Sequence, residues 1–307
     1  MGRIPEVVAS IAPPTVPGVE EHWMELDGAR MRYLQAGSGR PLILLHGLMG
    51  YSFSWRFTMP ALAPYAVVYA PDLPGAGFSE RPRALDHSMR ATALRVLTFA
   101  RRLGLSEFDL LGTSRGGAVA MAAAAESLSA TVKDVRVRRL ILVAPVNPFS
   151  AHGKWLAPFL GSPLGAAGFR WAAGRFPALF PYCHGRLYAD SSKIPPGSLE
   201  GYQAPLALPG LFEHGLSIAK TWSADLRELE TLLPKLADVP TLLMWGSKDP
   251  AVYASSAVTL AGHFRNVRQV VFPGVGHLPY EECPEEFNRA LIDFLTADND
   301  SVPGRGR

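Results

Sequence analysis

"DLLGTSRGGAVA", Asp109 to Ala120, sets one serine among three glycines, with an apolar run before it and small, helix-compatible residues after it. Glycine serves where one backbone passes close to another or takes a conformation that a Cβ forbids. Gly112-Thr113-Ser114-Arg115-Gly116 therefore fits a sharp strand-to-helix turn that holds a serine in a strained conformation with its hydroxyl presented, the nucleophile-elbow geometry. A plain glycine-rich turn has the same composition, so the reading depends on what the rest of the chain supplies.

Outward from that stretch, short apolar runs alternate with helical patterns. "EHWMELDGARMRYLQAG", Glu21 to Gly37, holds two alternating runs joined at Asp27-Gly28 and reads as an antiparallel hairpin. Further strands are expected at Leu42 to Leu45, Ala66 to Ala70, Phe108 to Leu111, Leu140 to Val143, Thr241 to Trp245 and Val267 to Phe272. Apolar on both faces and separated by helices at 88–103, 115–126 and 284–296, they predict a mostly parallel sheet. The rhythm breaks after Ala144-Pro145. Residues 148–232 carry Pro and Gly clusters, aromatics and short helical patterns without a convincing strand, so they read as a helical insertion between two sheet strands.

A serine hydroxyl is a weak nucleophile until a base takes its proton, and that base needs a carboxylate to fix its tautomer. "LLMWGSKDP" puts Asp249 just past a strand, and "FPGVGHLPYEECPEEF" puts His277 in a glycine-rich loop after the next one. Ser114, Asp249 and His277 follow the chain order expected for this architecture, each at the carboxyl end of a strand. "LILLHGLMGYSFSW" supplies a site for the oxyanion: Gly47 lets the chain turn and leaves the Leu48 amide free, with Arg115 N–H as the second donor. His46 is expected to support that loop structurally. Asp72 in "DLPGAGFSERP" reads as a turn-former that accepts backbone amides. Asn147 occupies the alternative position for the triad acid and carries no charge. A cation at Arg115 opposes the helix dipole, so its side chain is expected to reach outward to an insertion carboxylate or water, or to meet a polar group of the substrate.

Those motifs occur together and in order, and the chain resembles the α/β-hydrolase superfamily from about residue 22 to 297. It closely resembles the capped bacterial serine hydrolases. The resemblance implies an α/β class protein: an α/β-hydrolase fold with a mostly parallel eight-stranded sheet flanked by helices, a helical cap over 148–232, and no cofactor. The remaining expected divisions are a lead-in at 1–20, a core of 21–147 with 233–298, and a frayed tail at 299–307. Haloalkane dehalogenases and epoxide hydrolases share the layout but attack with aspartate, which leaves an ester that water can open. A serine ether would not open, so Ser114 points to acyl chemistry, with Gly112 and Gly116 as supporting glycines. Carboxylic esters of small apolar substrates lead. Lactones, thioesters, amides, carbon-carbon bonds and perhydrolysis use the same machinery. A hydrolase-like small-molecule receptor with slow turnover is the alternative from another class.

Bulk properties narrow the partners. Of 307 residues, 48% are hydrophobic and 19% charged, and 30 basic against 27 acidic residues give a net charge of +3 with no basic run for nucleic acid. No apolar stretch approaches the ~20 residues of a membrane span. Cys183 and Cys283 provide neither a disulfide framework nor zinc spacing. The expectation is a cytoplasmic monomer or weak dimer that takes a small-molecule acyl substrate, without metal, nucleic acid or stable membrane insertion. His22, His87, His152, His184, His214 and His263 are expected on the surface or in the cap. Trp155, Phe159, Phe169, Trp171, Phe176, Phe180 and Trp222 are expected to form mostly the cap's own core, with two or three facing the pocket. Such a cap should select small to medium apolar acyl groups without needing a lipid interface.

Overall fold

The computed structural model describes residues 12–130, 132–150, 156–176 and 178–297. Residues 1–11 of the expected lead-in and the tail at 299–307 lie outside them, as do His152 and Trp155. Asp27 and Gly28, both with positive φ (50° and 73°), turn β1 (Glu20–Leu26) back onto β2 (Ala29–Ala36). Two consecutive left-handed residues give a turn whose twist matches the strands it joins. Next come β3 (Pro41–Leu45), the short α1 (Met59–Leu62), β4 (Val67–Pro71), α2 (Met89–Arg102), β5 (Glu107–Thr113) and α3 (Arg115–Ser127). After β6 (Arg136–Val143), the described residues up to β7 (Thr241–Gly246) hold helices and no strand. These are α4 (Leu156–Gly161), α5 (Pro163–Arg175), α6 (Leu179–Gly185), α7 (Ser198–Gln203) and α8 (Leu211–Leu232). The chain then closes with α9 (Ser255–Ala261), β8 (Val267–Phe272), α10 (Pro279–Glu282) and α11 (Pro284–Thr296).

The sheet has eight strands in the order β1-β2-β4-β3-β5-β6-β7-β8. β2 runs antiparallel to both β1 and β4, and all other neighbours are parallel. Crossovers place helices on both faces, so β3, β5 and β7 read as nearly unbroken apolar runs. One strand begins earlier than expected. β6 starts at Arg136, which stays exposed, because Arg138 and Arg139 of "RVRR" find partners inside the fold. Arg138 pairs with Asp109 through bonds of 3.0 and 2.7 Å, and the buried Arg139 donates to the Phe294 and Leu295 carbonyls.

Every residue of α3, "RGGAVAMAAAAES", is buried. Its small side chains let it lie against the sheet, and its amino end lies closest of all. A Cβ on Gly116 would sit 2.6 Å from the Leu45 carbonyl oxygen and closer still to that of His46. One on Gly112 would meet the Gly116 and Gly117 backbone, and one on Gly117 would lie 2.5 Å from the Pro145 Cβ. That is why three glycines surround one serine: β3, β5 and the start of α3 touch backbone to backbone.

Gly116→Ala should therefore destabilise the fold by ~1–3 kcal/mol or more, since no flexible side chain can yield. Gly168, inside α5 with nothing within 4 Å of a built Cβ, is the control. Gly168→Ala should stabilise by ~0.4–1 kcal/mol. Urea midpoints of the two variants, moving in opposite directions from wild type, check the assignment.

Candidate active site

Ser114 ends β5 and caps α3 at φ 53°, ψ −123°. A non-glycine residue in such a region costs of order 1–3 kcal/mol and persists only where its surroundings over-determine it. Here they do. The Ser114 amide donates to Val143 O (2.9 Å), and its carbonyl accepts from the Gly117 (3.0 Å) and Val146 (2.9 Å) amides. The side chain lines a cavity and makes no hydrogen bond to another described residue.

His277 and Asp249 meet across the ends of β7 and β8. His277 Nδ1 lies 2.7 Å from Asp249 Oδ2, both side chains buried. Asp249 Oδ1 accepts from the Ala251 (2.7 Å) and Val252 (2.9 Å) amides, which fixes the carboxylate's orientation. A carboxylate can only accept, so Nδ1 carries the proton and Nε2 is left with a lone pair. The backbone of His277 donates to Leu187 O (2.8 Å), and the ring borders the same cavity as Ser114.

His46 shows the same tautomer logic. Its Nδ1 lies 2.9 Å from Gly47 O, an acceptor, and its Nε2 accepts from the Leu73 amide at 3.3 Å. Both nitrogens are occupied, and burial pushes its pKa below the ordinary histidine value. Gly47 passes close beside the nucleophile, since a Cβ there would lie 3.2 Å from the Ser114 Cβ. The Leu48 and Arg115 amides make no hydrogen bond to another described residue, and Leu48 borders the cavity. The buried Asp72 accepts from the Ser52 (2.8 Å) and Phe78 (3.0 Å) amides and from Arg32 (3.2 Å).

The Arg115 side chain departs from expectation. It points neither outward nor into either cavity, but is buried and donates to His87 O at 2.7 Å. Burial pulls its pKa down to about 10, with Asp225 of α8 opposing that shift. The insertion folds over it, so the position opposed to the helix dipole is met by a carbonyl oxygen and a distant carboxylate. Of the remaining histidines, His184 and His214 lie in the insertion and are buried, and His214 Nδ1 lies 3.1 Å from His87 Nδ1.

Two cavities open at Ser114, of 540 and 300 Å³. Both are walled in part by the insertion, whose aromatics form no core of their own. Phe169, Phe180 and Trp222 border the cavities, Phe176 borders the larger one while also exposed, and Phe159 and Trp171 are exposed. The reason is layering: α4 has no buried residue and α5 buries only Gly165 and Ala166, so these helices make one layer between cavity and solvent.

The motif reading passes over one cluster. Glu281, buried four residues after His277, accepts from Arg56 (2.8 and 2.9 Å), Tyr188 (2.6 Å), Tyr202 (2.5 Å) and Ser198 (3.2 Å). Burial opposes its ionisation, yet the Arg56 hydrogen bonds and charge, with the two phenols, hold its pKa below the ordinary value. Glu282 accepts from the Gly276 (2.7 Å) and Ala189 (3.2 Å) amides. The pair clamps the His277 loop to the insertion. Two adjacent glutamates in an apolar stretch are the sequence signal. Among the described residues no group of three or more His, Cys, Asp or Glu side chains is placed to hold a metal ion, and no helix is long and apolar enough to cross a membrane.

A family model described as alpha/beta hydrolase fold matches residues 40–284. The dihydrolipoyllysine-residue acetyltransferase component of the acetoin cleaving system of Pseudomonas putida is 30% identical over 275 residues, 88% of this chain and 68% of that protein. Haloalkane dehalogenase 2 of Mycobacterium tuberculosis is 26% identical over 287 residues, 89% of this chain and 94% of that one. The ligand-free structure of the epoxide hydrolase CorEH superposes with a TM-score of 0.74 at 25% identity, covering 90% of this chain and 98% of that one.

Glu281→Gln leaves Arg56 buried without its counter-charge and should cost about 3–5 kcal/mol at pH 7. The folded pKa of Glu281 lies below its unfolded value near 4.5. Its contribution is therefore fully present above that pH and is lost as pH falls through the folded pKa. The stability gap between wild type and variant should be widest at neutral pH and narrow as pH falls below 4.5 toward the folded pKa. Urea unfolding across that range measures it.

Proposed function

The chain belongs to the alpha/beta hydrolase fold family and is an enzyme of that kind; from this premise we infer that it is a serine hydrolase. It cleaves carboxylic esters of apolar substrates through an acyl-enzyme on Ser114, beneath a helical cap formed by residues 148–232. One observation carries the reading. His277, tethered by Nδ1 to Asp249 at 2.7 Å, keeps Nε2 available beside the cavity that Ser114 lines.

Nε2 takes the Ser114 proton as Oγ attacks the carbonyl carbon. The developing oxyanion is met by the Leu48 and Arg115 amides, which have no other described partner. Collapse breaks the bond to the alcohol oxygen, which leaves with the proton from Nε2. Water then attacks the acyl-enzyme, gives its proton to Nε2, and releases the acid as Ser114 is reprotonated. The strained φ of Ser114 holds Oγ clear of the α3 backbone throughout. His46, with both nitrogens engaged, supports the oxyanion loop rather than moving a proton.

The relatives' names span different chemistries, and the residue at 114 separates them. Serine favours an acyl intermediate over the alkyl intermediate of aspartate-dependent dehalogenation or epoxide opening. The acetyltransferase component among the relatives is named for acyl chemistry as well.

A fluorophosphonate should label Ser114 stoichiometrically, and labelling should vanish in Ser114→Ala. Asp249→Asn should lower kcat by about 10³- to 10⁴-fold with an unchanged thermal unfolding midpoint. Peptide mapping and ester kinetics decide it. Label on another residue, or near-normal turnover by Asp249→Asn, overturns the reading.

A further inference from the structure

The two cavities at Ser114 are unequal in a way that bears on how an ester must lie. Leu48, Met49, Phe169, Phe212 and Ala251 border both, and the Phe169 and Phe212 rings, 5.5 Å apart at 76°, stand in the shared wall. His277 borders only the larger, 540 Å³ cavity. The smaller, 300 Å³ cavity has no contribution from His277 and is walled mainly by aliphatic side chains such as Val146, Leu160, Leu216 and Val252, with Trp222, Asn147 and Ser150 beside them.

We propose that the larger cavity takes the alcohol portion of the ester and the smaller one the acyl chain, so that the enzyme selects compact aliphatic acyl groups joined to bulkier, ring-bearing alcohols. This rests on the serine mechanism above. In the tetrahedral intermediate on Ser114 Oγ, the oxyanion turns toward the Leu48 and Arg115 amides. Two substituents remain. The leaving oxygen has to come within about 3 Å of His277 Nε2 to receive its proton, which commits the alcohol to the cavity that His277 borders. The acyl chain is directed to the other side of the Phe169–Phe212 wall. The second half-reaction obeys the same geometry, because water attacks from the space the alcohol vacates, where Nε2 can take its proton, while the acyl chain stays in place.

Wall chemistry sets the substrate class. The acyl cavity has little more than half the volume of the alcohol cavity, 300 against 540 Å³, so the bulkier portion of an ester fits the alcohol side. Phe176, Phe180, Tyr202 and Tyr280 line the alcohol cavity, and rings of that kind pack edge-to-face against an aromatic guest. Ser54 and Gln203 in the same wall admit a heteroatom there.

A matched pair of primary-alkyl esters tests the assignment: naphthylethyl butyrate, bulky on the alcohol side, and its isomer butyl naphthylacetate, bulky on the acyl side. The expected kcat/KM favours naphthylethyl butyrate by at least about tenfold. Ala173 borders only the larger cavity and Ala219 only the smaller. Ala173→Trp should cut kcat/KM for naphthylethyl butyrate far more than for ethyl butyrate. Ala219→Trp should slow decay of the butyryl-enzyme in single-turnover mass measurements. Ala157→Trp, in the same wall as Ala219, replaces it if that variant fails to fold. Preference for butyl naphthylacetate, or exchange of the two variant effects, with an acyl-enzyme still forming, overturns the cavity assignment and leaves the serine mechanism standing. Hydrolysis without an acyl-enzyme, or no hydrolysis and no adduct with either ester, overturns both.

Discussion

Backbone contact between the amino end of α3 and the carboxyl ends of β3 and β5 is the constraint on which the rest depends. Gly112, Gly116 and Gly117 permit it by having no Cβ where the Gly116, Leu45 and Pro145 atoms already lie. With the helix start pressed against the strand ends, the residue between them has little choice of conformation, and Ser114 takes a φ of 53°. The energy of that strained residue is offset by a wholly buried helix of small side chains. The same contact brings Gly47 beside Ser114 and leaves the Leu48 and Arg115 amides without partners among the described residues. Strain, exposed hydroxyl and open donors are one structural event seen from three sides.

A second constraint ties the insertion to the chemistry. The His277 loop is held by Leu187 O, by Glu282 across to the Ala189 amide, and by Glu281 through Tyr188, Ser198 and Tyr202. All of these partners but the two glutamates lie between β6 and β7. The half of the insertion near residues 187–203 is thus bonded to the loop that carries His277, while α4 and α5 pack as a single layer with exposed Leu156, Phe159, Leu164 and Trp171. Local stability follows buried contacts and satisfied polar groups, so the two halves differ in how firmly they are held.

The strands were legible where side chains are apolar on both faces, as in β3, β5 and β7, and the hairpin where Asp27-Gly28 names its own turn. The first half of β6 was not, because Arg138 and Arg139 read as surface until Asp109 and the α11 carbonyls are brought beside them. Ser114, Asp249 and His277 could be picked out because glycines and strand ends frame each one. Arg115 could not be placed, since its burial depends on His87 and on α8, which only the folded chain supplies. Glu281 was hidden for the same reason: its partners Arg56, Tyr188, Ser198 and Tyr202 come from three separate parts of the sequence. Nor does composition tell whether an insertion's aromatics form a core or a cavity wall, because that turns on whether a second layer covers them.

Bond cleavage through an ester of Ser114, as proposed, would leave a covalent intermediate during turnover. Rapid acid quench of the enzyme during turnover of a short-chain ester, followed by peptide mass analysis, tests it most directly. The account predicts a transient increment of one acyl group on the peptide that contains Ser114, rising and decaying at the rate of turnover. An unmodified protein at every quench time despite continuing hydrolysis, or an acyl or alkyl group on any other residue, would contradict it.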